Sequence, residues 1–128
     1  MSAEPQAGRC LCGNVRFEID GPVSAGSICH CGQCRRQGGH VWASAQAPRE
    51  SFAISGDVQW YAASDTATRG FCPRCGSFLF WHGAGEAEMS FSLGALEEPT
   101  GIRVEKHIFC ASKGDYFEIG EDGGARKP

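Results

Sequence analysis

The sequence predicts an all-β fold, a single domain of small antiparallel sheets, and three observations carry that expectation. Apolar and polar residues alternate in short stretches, no stretch keeps a helical period for three turns, and paired cysteines fall at the ends of segments that read as hairpins. The 18 glycines among 128 residues, about twice the usual share, are spread along the chain, so they supply many tight turns rather than one linker. The length suits one domain with a core of its own.

Taken in order, residues 1–8 are polar, include Glu4 and Pro5, and are expected to form a flexible N-terminus with no resemblance to a signal sequence. Val15-Arg16-Phe17-Glu18-Ile19 alternates as a half-buried strand does, and Gly21-Pro22 ends it. Ser27-Ile28-Cys29 reads as a short strand entering a cysteine cluster. Arg35 to Gly39 then reads as a polar loop or single helical turn, with backbone N–H groups that could hold an anion. Val41 to Ala45, Ser51 to Ile54 and Val58 to Ala62 are three further strands, the last two joined by the turn Ser55-Gly56-Asp57, and together they look like a meander. Arg69-Gly70-Phe71 leads into a Cys-x-x-Cys turn, and Ser77 to His82 leaves it as an aromatic strand, so this pair is a hairpin. Met89, Phe91 and Leu93 alternate with Ser90, Ser92 and Gly94 as one strand. Gly101 to Phe109 gives another around Ile102, Val104 and Ile108, after a turn at Glu97-Glu98-Pro99. The domain is expected to span residues 9–119, and residues 120–128, which lack an apolar anchor, to be a disordered tail.

The net charge of −3 and the absence of any run of five Lys or Arg argue against a nucleic-acid partner. No apolar run approaches membrane-spanning length, so no membrane association is expected, and the chain reads as cytoplasmic.

Seven of the eight cysteines fall into three tight groups: Cys10-Leu11-Cys12-Gly13, Cys29-His30-Cys31-Gly32-Gln33-Cys34 and Cys72-Pro73-Arg74-Cys75-Gly76. A tetrahedral zinc site with four thiolates needs sulfurs about 3.8 Å apart, and a Cys-x-x-Cys turn closed by glycine supplies two of them. Cys10 and Cys12, two apart in extended backbone, point to one side and supply two more. Cys10, Cys12, Cys72 and Cys75 therefore make a closed, structural four-cysteine site that fastens distant segments, with disulfides as the alternative. Cys29, Cys31 and Cys34 offer three thiolates with no fourth cysteine nearby. This leaves an open position where water or a substrate thiol can bind and lose its proton. The alternative is a second structural site completed by His40 or His107. His30, between two ligands, is expected to face away and to pack or make a supporting hydrogen bond. Cys110 is expected to be a small buried hydrophobe rather than a ligand or a reactive thiol.

The order C-x-C-G, C-H-C-x-x-C, F-C-x-x-C-G-S and a late Lys-His-Ile-Phe segment resembles the glutathione-dependent formaldehyde-activating family, which includes centromere protein V, from about Gly8 to Ile119. The resemblance implies a zinc-containing β-tent. It places Cys10, Cys12, Cys72 and Cys75 on a structural Zn2+, with Cys29, Cys31 and Cys34 as the catalytic cysteines holding a second. It implies a carbon–sulfur lyase that forms or cleaves S-(hydroxymethyl)glutathione or a related adduct of a small thiol and a small aldehyde. Glutathione carries two carboxylates, for which Arg35 and Arg36, directly after the three-cysteine group, are candidate partners unless both are simply solvated. Trp42 and Trp81 belong either to the core or to a pocket wall. The competing reading is a non-catalytic, zinc-stabilised β module that recruits a protein partner.

Overall fold

A computed structural model of the chain describes residues 5–121 and 124–128. In chain order its elements are β1 (Gln6–Arg9), β2 (Arg16–Ile19), β3 (Gly26–Cys29), α1 (Gly32–Gly38), β4 (Trp42–Pro48), β5 (Phe52–Ser55), β6 (Gln59–Ala62), β7 (Ala67–Phe71), β8 (Phe78–Gly83), β9 (Glu88–Ser92), β10 (Val104–Ile108) and β11 (Ala125–Arg126). Single 3-10 turns lie at Arg49–Ser51, Leu93–Ala95 and Cys110–Ser112. The strands form two open sheets, one of three strands in the order β1-β2-β5 and one of eight in the order β11-β10-β3-β4-β9-β8-β7-β6.

This is a mixed α/β architecture and corrects the all-β tent of small antiparallel sheets. Three findings overturn it. A seven-residue helix is present, neither sheet closes on itself, and β10 pairs in parallel with both β3 and β11. The helix escapes a reading based on apolar periodicity because Gly32-Gln33-Cys34-Arg35-Arg36-Gln37-Gly38 has none. Its ends hold it instead. The Cys31 sulfur accepts the Cys34 N–H at 3.3 Å as an N-cap, the Gly39 N–H closes the C-terminus on the Arg35 carbonyl at 2.9 Å, and Arg35 and Arg36 sit in the last turn, where cations are favoured.

The meander is also corrected. β4 pairs with β3 and β9, β5 with β2, and β6 with β7. After Pro48 the chain turns through Arg49–Ser51, where the Ser51 hydroxyl donates to the Pro48 carbonyl at 2.7 Å, and it crosses to the other sheet. The expected flexible N-terminus is ordered from Gln6, where β1 pairs with β2; Met1 to Glu4 lie outside the described residues. The expected disordered tail contains β11, whose Ala125 and Arg126 stand opposite Lys106 and His107; Asp122 and Gly123 lie outside the described residues.

The core lies between the sheets. Alternation in β2 turns Phe17 and Ile19 inward and leaves Arg16 and Glu18 exposed. From the facing sheet Leu79, Phe80, Met89 and Phe91 meet them, all almost fully buried. The aromatic rings interlock at right angles: Phe17 and Phe80 centroids lie 5.1 Å apart at 73°, and Phe52 and Phe80 5.9 Å apart at 89°. In β4 the same alternation sends Ala45 and Ala47 into this core and leaves Trp42, Ser44 and Gln46 on the other face. That second face carries the candidate site. Among the described residues no helix is long and apolar enough to cross a membrane.

Candidate metal centres and the adjoining cavity

Two tight turns bring four cysteines together. After β1 the chain folds back through Gly13, whose φ of 83° is open to glycine and strained for most other residues, and the Val15 N–H donates to the Cys10 sulfur at 3.2 Å. Between β7 and β8 the Cys72–Cys75 turn closes through Gly76, at φ 81°, whose N–H donates to the Cys72 carbonyl at 2.7 Å. The turns are tied to each other, since the Leu11 N–H donates to the Ser77 hydroxyl at 3.0 Å and the Asn14 amide donates to the Cys72 sulfur at 3.6 Å. The Cys10–Cys12 and Cys12–Cys72 sulfurs stand 3.7 and 3.8 Å apart. All four sulfurs lie within 4.8 Å of one another. These distances fit the edge of a sulfur tetrahedron around an ion of zinc's size, about 3.8 Å. The Ser77 hydroxyl and backbone N–H groups hold the Cys75 thiol down to about 5, favouring the thiolate that a metal requires. Because the first turn belongs to the three-stranded sheet and the second to the eight-stranded sheet, the group bridges the two.

The second group, Cys29, Cys31 and Cys34, also has its sulfurs within 4.8 Å of one another. Cys29 ends β3, Cys31 caps α1 and Cys34 lies inside it. The spacing from cap to third helical residue puts the sulfurs of Cys31 and Cys34 on the same side. Negative charge settles most readily on Cys34, whose thiol is held down to about 6 by hydrogen bonding from the Cys29 thiol and then by the Arg69 guanidinium. Cys29 is pushed far above the ordinary thiol range by the same shared contact with Cys34 and by burial.

Neither candidate histidine joins the group. The His107 Nδ1 shares a 2.8 Å hydrogen bond with His30 Nε2, and the His40 Nδ1 lies 3.2 Å from the Tyr116 hydroxyl. His30 is buried, meets His107 edge on through that hydrogen bond, and has the Phe117 ring nearly parallel to it with centroids 5.8 Å apart. Burial, and then the adjacent His107, pushes it below the ordinary histidine range. Cys110 is half-buried at the start of a 3-10 turn rather than packed in the core, a correction that follows from its place on a surface turn held by the Lys127 carbonyl.

A cavity of about 610 Å³ opens beside the three-cysteine group and is lined by Cys29, Cys31 and Cys34 themselves. Trp42 and Trp81 form walls. The Trp42 indole N–H is fixed by the Ser92 hydroxyl at 2.6 Å, which in turn donates to the Phe78 carbonyl. Ser27, Ser44, Gln46 and Ser90 supply a polar lining from neighbouring strands, and Lys106 lies on the rim. Arg35 and Arg36 do not line the cavity; they occupy the last turn of α1, and Arg36 is exposed. The buried cation that does is Arg69 in β7, which the sequence shows only as part of the segment leading into the Cys72–Cys75 turn. Phe109 also reaches the cavity. It is the one described non-glycine residue with positive φ, at 55°, and it is 54% exposed. Such backbone strain collects at functional sites.

The family model for glutathione-dependent formaldehyde-activating enzymes matches residues 5–112. A comparison with curated proteins finds no match. Among solved structures, the crystal structure of a Rhodobacter sphaeroides protein is similar, with a TM-score of 0.62 and 24% identity over 72% of this chain and 88% of that one.

Proposed function

The chain belongs to the glutathione-dependent formaldehyde-activating family, and from that premise we propose that it is a zinc-dependent carbon–sulfur lyase that forms or cleaves S-(hydroxymethyl)glutathione or a related thiol–aldehyde adduct. The observation that carries the reading is the inequality of the two cysteine groups. One has four sulfurs and is closed. The other has three, with no fourth Cys, His, Asp or Glu in the group among the described residues, and it faces a cavity. Cys10, Cys12, Cys72 and Cys75 would hold a structural Zn2+, and Cys29, Cys31 and Cys34 a second. A zinc ion in the three-sulfur group supplies Lewis acidity, lowering the pKa of a thiol or water in its remaining position.

The protein's own residues then have separable tasks. Trp42 and Trp81 wall off water from the sulfur centre, and the hydroxyls of Ser27, Ser44 and Ser90 offer partners to peptide amides. Lys106 on the rim suits a substrate carboxylate. In the forward direction a bond forms between the substrate sulfur and the aldehyde carbon, and the carbonyl electron pair moves to oxygen, which takes up the proton released by the thiol. Cleavage is the reverse.

Exchange spectroscopy on formaldehyde and glutathione, with and without protein of known zinc content, tests this. The wild-type protein should accelerate exchange above the uncatalysed rate, and Cys31→Ser should remove that acceleration and one zinc while the fold persists. No acceleration by the zinc-loaded wild type, or unfolding of Cys31→Ser with loss of both zinc ions, would leave the chain a metal-stabilised binding module.

A further inference from the structure

We infer that Arg69 is a positioning residue for the three-cysteine group: its guanidinium offsets the net negative charge of that centre and so lets the cavity deliver a further anionic sulfur to it. The inference rests on the metal-binding reading of Cys29, Cys31 and Cys34. Arg69 lies in β7 opposite Tyr61 and Trp81 and is only 4% exposed. A buried cation is costly unless a counter-charge and hydrogen bonds compensate it. Among the described residues no carboxylate lies within ion-pair distance of Arg69; the single ion pair there joins Arg9 and Glu97.

The compensation comes from α1. Both terminal nitrogens of the guanidinium reach the Cys34 sulfur, Nη1 at 3.7 Å and Nη2 at 3.6 Å. Nε donates to the Gln33 side-chain oxygen and Nη1 to that of Gln37, each at 3.1 Å. Gln33 and Gln37 are one helical turn apart and so share a face with the guanidinium between them. The Phe78 ring, 5.1 Å from the guanidinium carbon, closes the remaining side. Two neutral amides fix the fork, and the one anionic group within its reach is a cysteine sulfur. A lysine would not reproduce this planar, multi-donor contact.

Three thiolates and one divalent cation sum to −1, which Arg69 brings to zero. A fourth thiolate arriving from the cavity then leaves −1 in place of −2, and between tryptophan walls that difference weighs far more than in water. Arg69 thereby biases the open position toward an anionic sulfur over neutral water.

Cobalt(II) substitution reads this without recourse to turnover, because sulfur-to-cobalt charge-transfer and d–d bands report each centre. Glutathione is titrated into protein carrying two cobalt ions. In Arg69→Met, which keeps an unbranched chain over Phe78, the glutathione midpoint should rise about tenfold or more, with the bands of the four-cysteine group unchanged. Arg69→Lys, which keeps the charge but not the fork, should recover only part of that loss. If Arg69→Met fails to fold, Gln37→Glu, at an exposed residue whose side chain accepts from Arg69, decides the matter: a carboxylate against the guanidinium pairs off its charge, and the midpoint should rise in the same way. An unchanged midpoint in the folded charge-neutralised variant overturns the role of Arg69. A wild-type protein that binds cobalt at the four-cysteine group alone overturns the metal reading on which it rests.

Discussion

Replacing Cys72 by serine probes what the four-cysteine group does for the fold. The Cys72 sulfur is fully buried, 3.8 Å from Cys12 and sixty positions away in sequence. A metal held by both sulfurs would close that loop and join the turn after β1 to the β7–β8 hairpin, hence one sheet to the other. In the chain-entropy treatment of cross-links, closing 60 residues removes about 4 kcal/mol of unfolded-state freedom. Domains of this size are stable by only about 5–15 kcal/mol, so this is a large share. Cys72→Ser should therefore melt on the order of 15 °C lower than wild type, measured by circular dichroism on reduced protein alongside its metal content. By contrast, Cys29 and Cys34 lie five positions apart beside one helix, so Cys31→Ser should lower the melting temperature far less. A Cys72→Ser protein that melts within a few degrees of wild type, or a Cys31→Ser protein that loses more stability than it does, would refute the assignment of the four-cysteine group as the cross-link.

Two further outcomes follow. Phe80→Ala should cost about 3–5 kcal/mol in denaturant melts, because the fully buried Phe80 ring packs against both Phe17 and Phe52; a loss under about 1 kcal/mol would mean the sheets do not pack through this ring. In chelator-treated, reduced protein, Cys34 is held from 9.0 down to about 6, so its thiolate contributes stability fully above pH 9, and that contribution is lost as pH falls toward 6. The melting-temperature difference between wild type and Cys34→Ala should shrink across that window; Cys29, pushed upward, acts only above it. A difference that is flat between pH 9 and 6 would contradict the charge placement.

Local spacing made the two cysteine groups legible, because ligand geometry is written over two to five residues, and alternation made β2 and β9 legible, because Phe17, Ile19, Met89 and Phe91 repeat with a period of two. Strand partners were not legible. β3 pairs with β10 across 78 to 79 positions, in parallel, and nothing in Gly26–Cys29 or Val104–Ile108 encodes the other. α1 depends on the Cys31 sulfur as its cap and on no apolar stripe. β11 has two exposed residues, so the polarity that marked it as tail is real while its backbone pairing is invisible to composition. In the site, nothing in Arg69-Gly70-Phe71 marks Arg69 as a buried residue. Its burial is created by Gln33, Gln37 and Phe78, which approach from other elements, and the glutathione-facing role expected of Arg35 and Arg36 falls on a helix end that does not line the cavity.

The two cysteine groups differ in sulfur number and in access to the cavity, and metal content under graded chelation reads that difference. Purified, reduced protein should hold two zinc ions per chain; a moderate chelator should remove one without loss of tertiary structure, and only the second removal should unfold the chain. Protein that holds no zinc, or that releases both ions together at a single chelator concentration, would contradict the account.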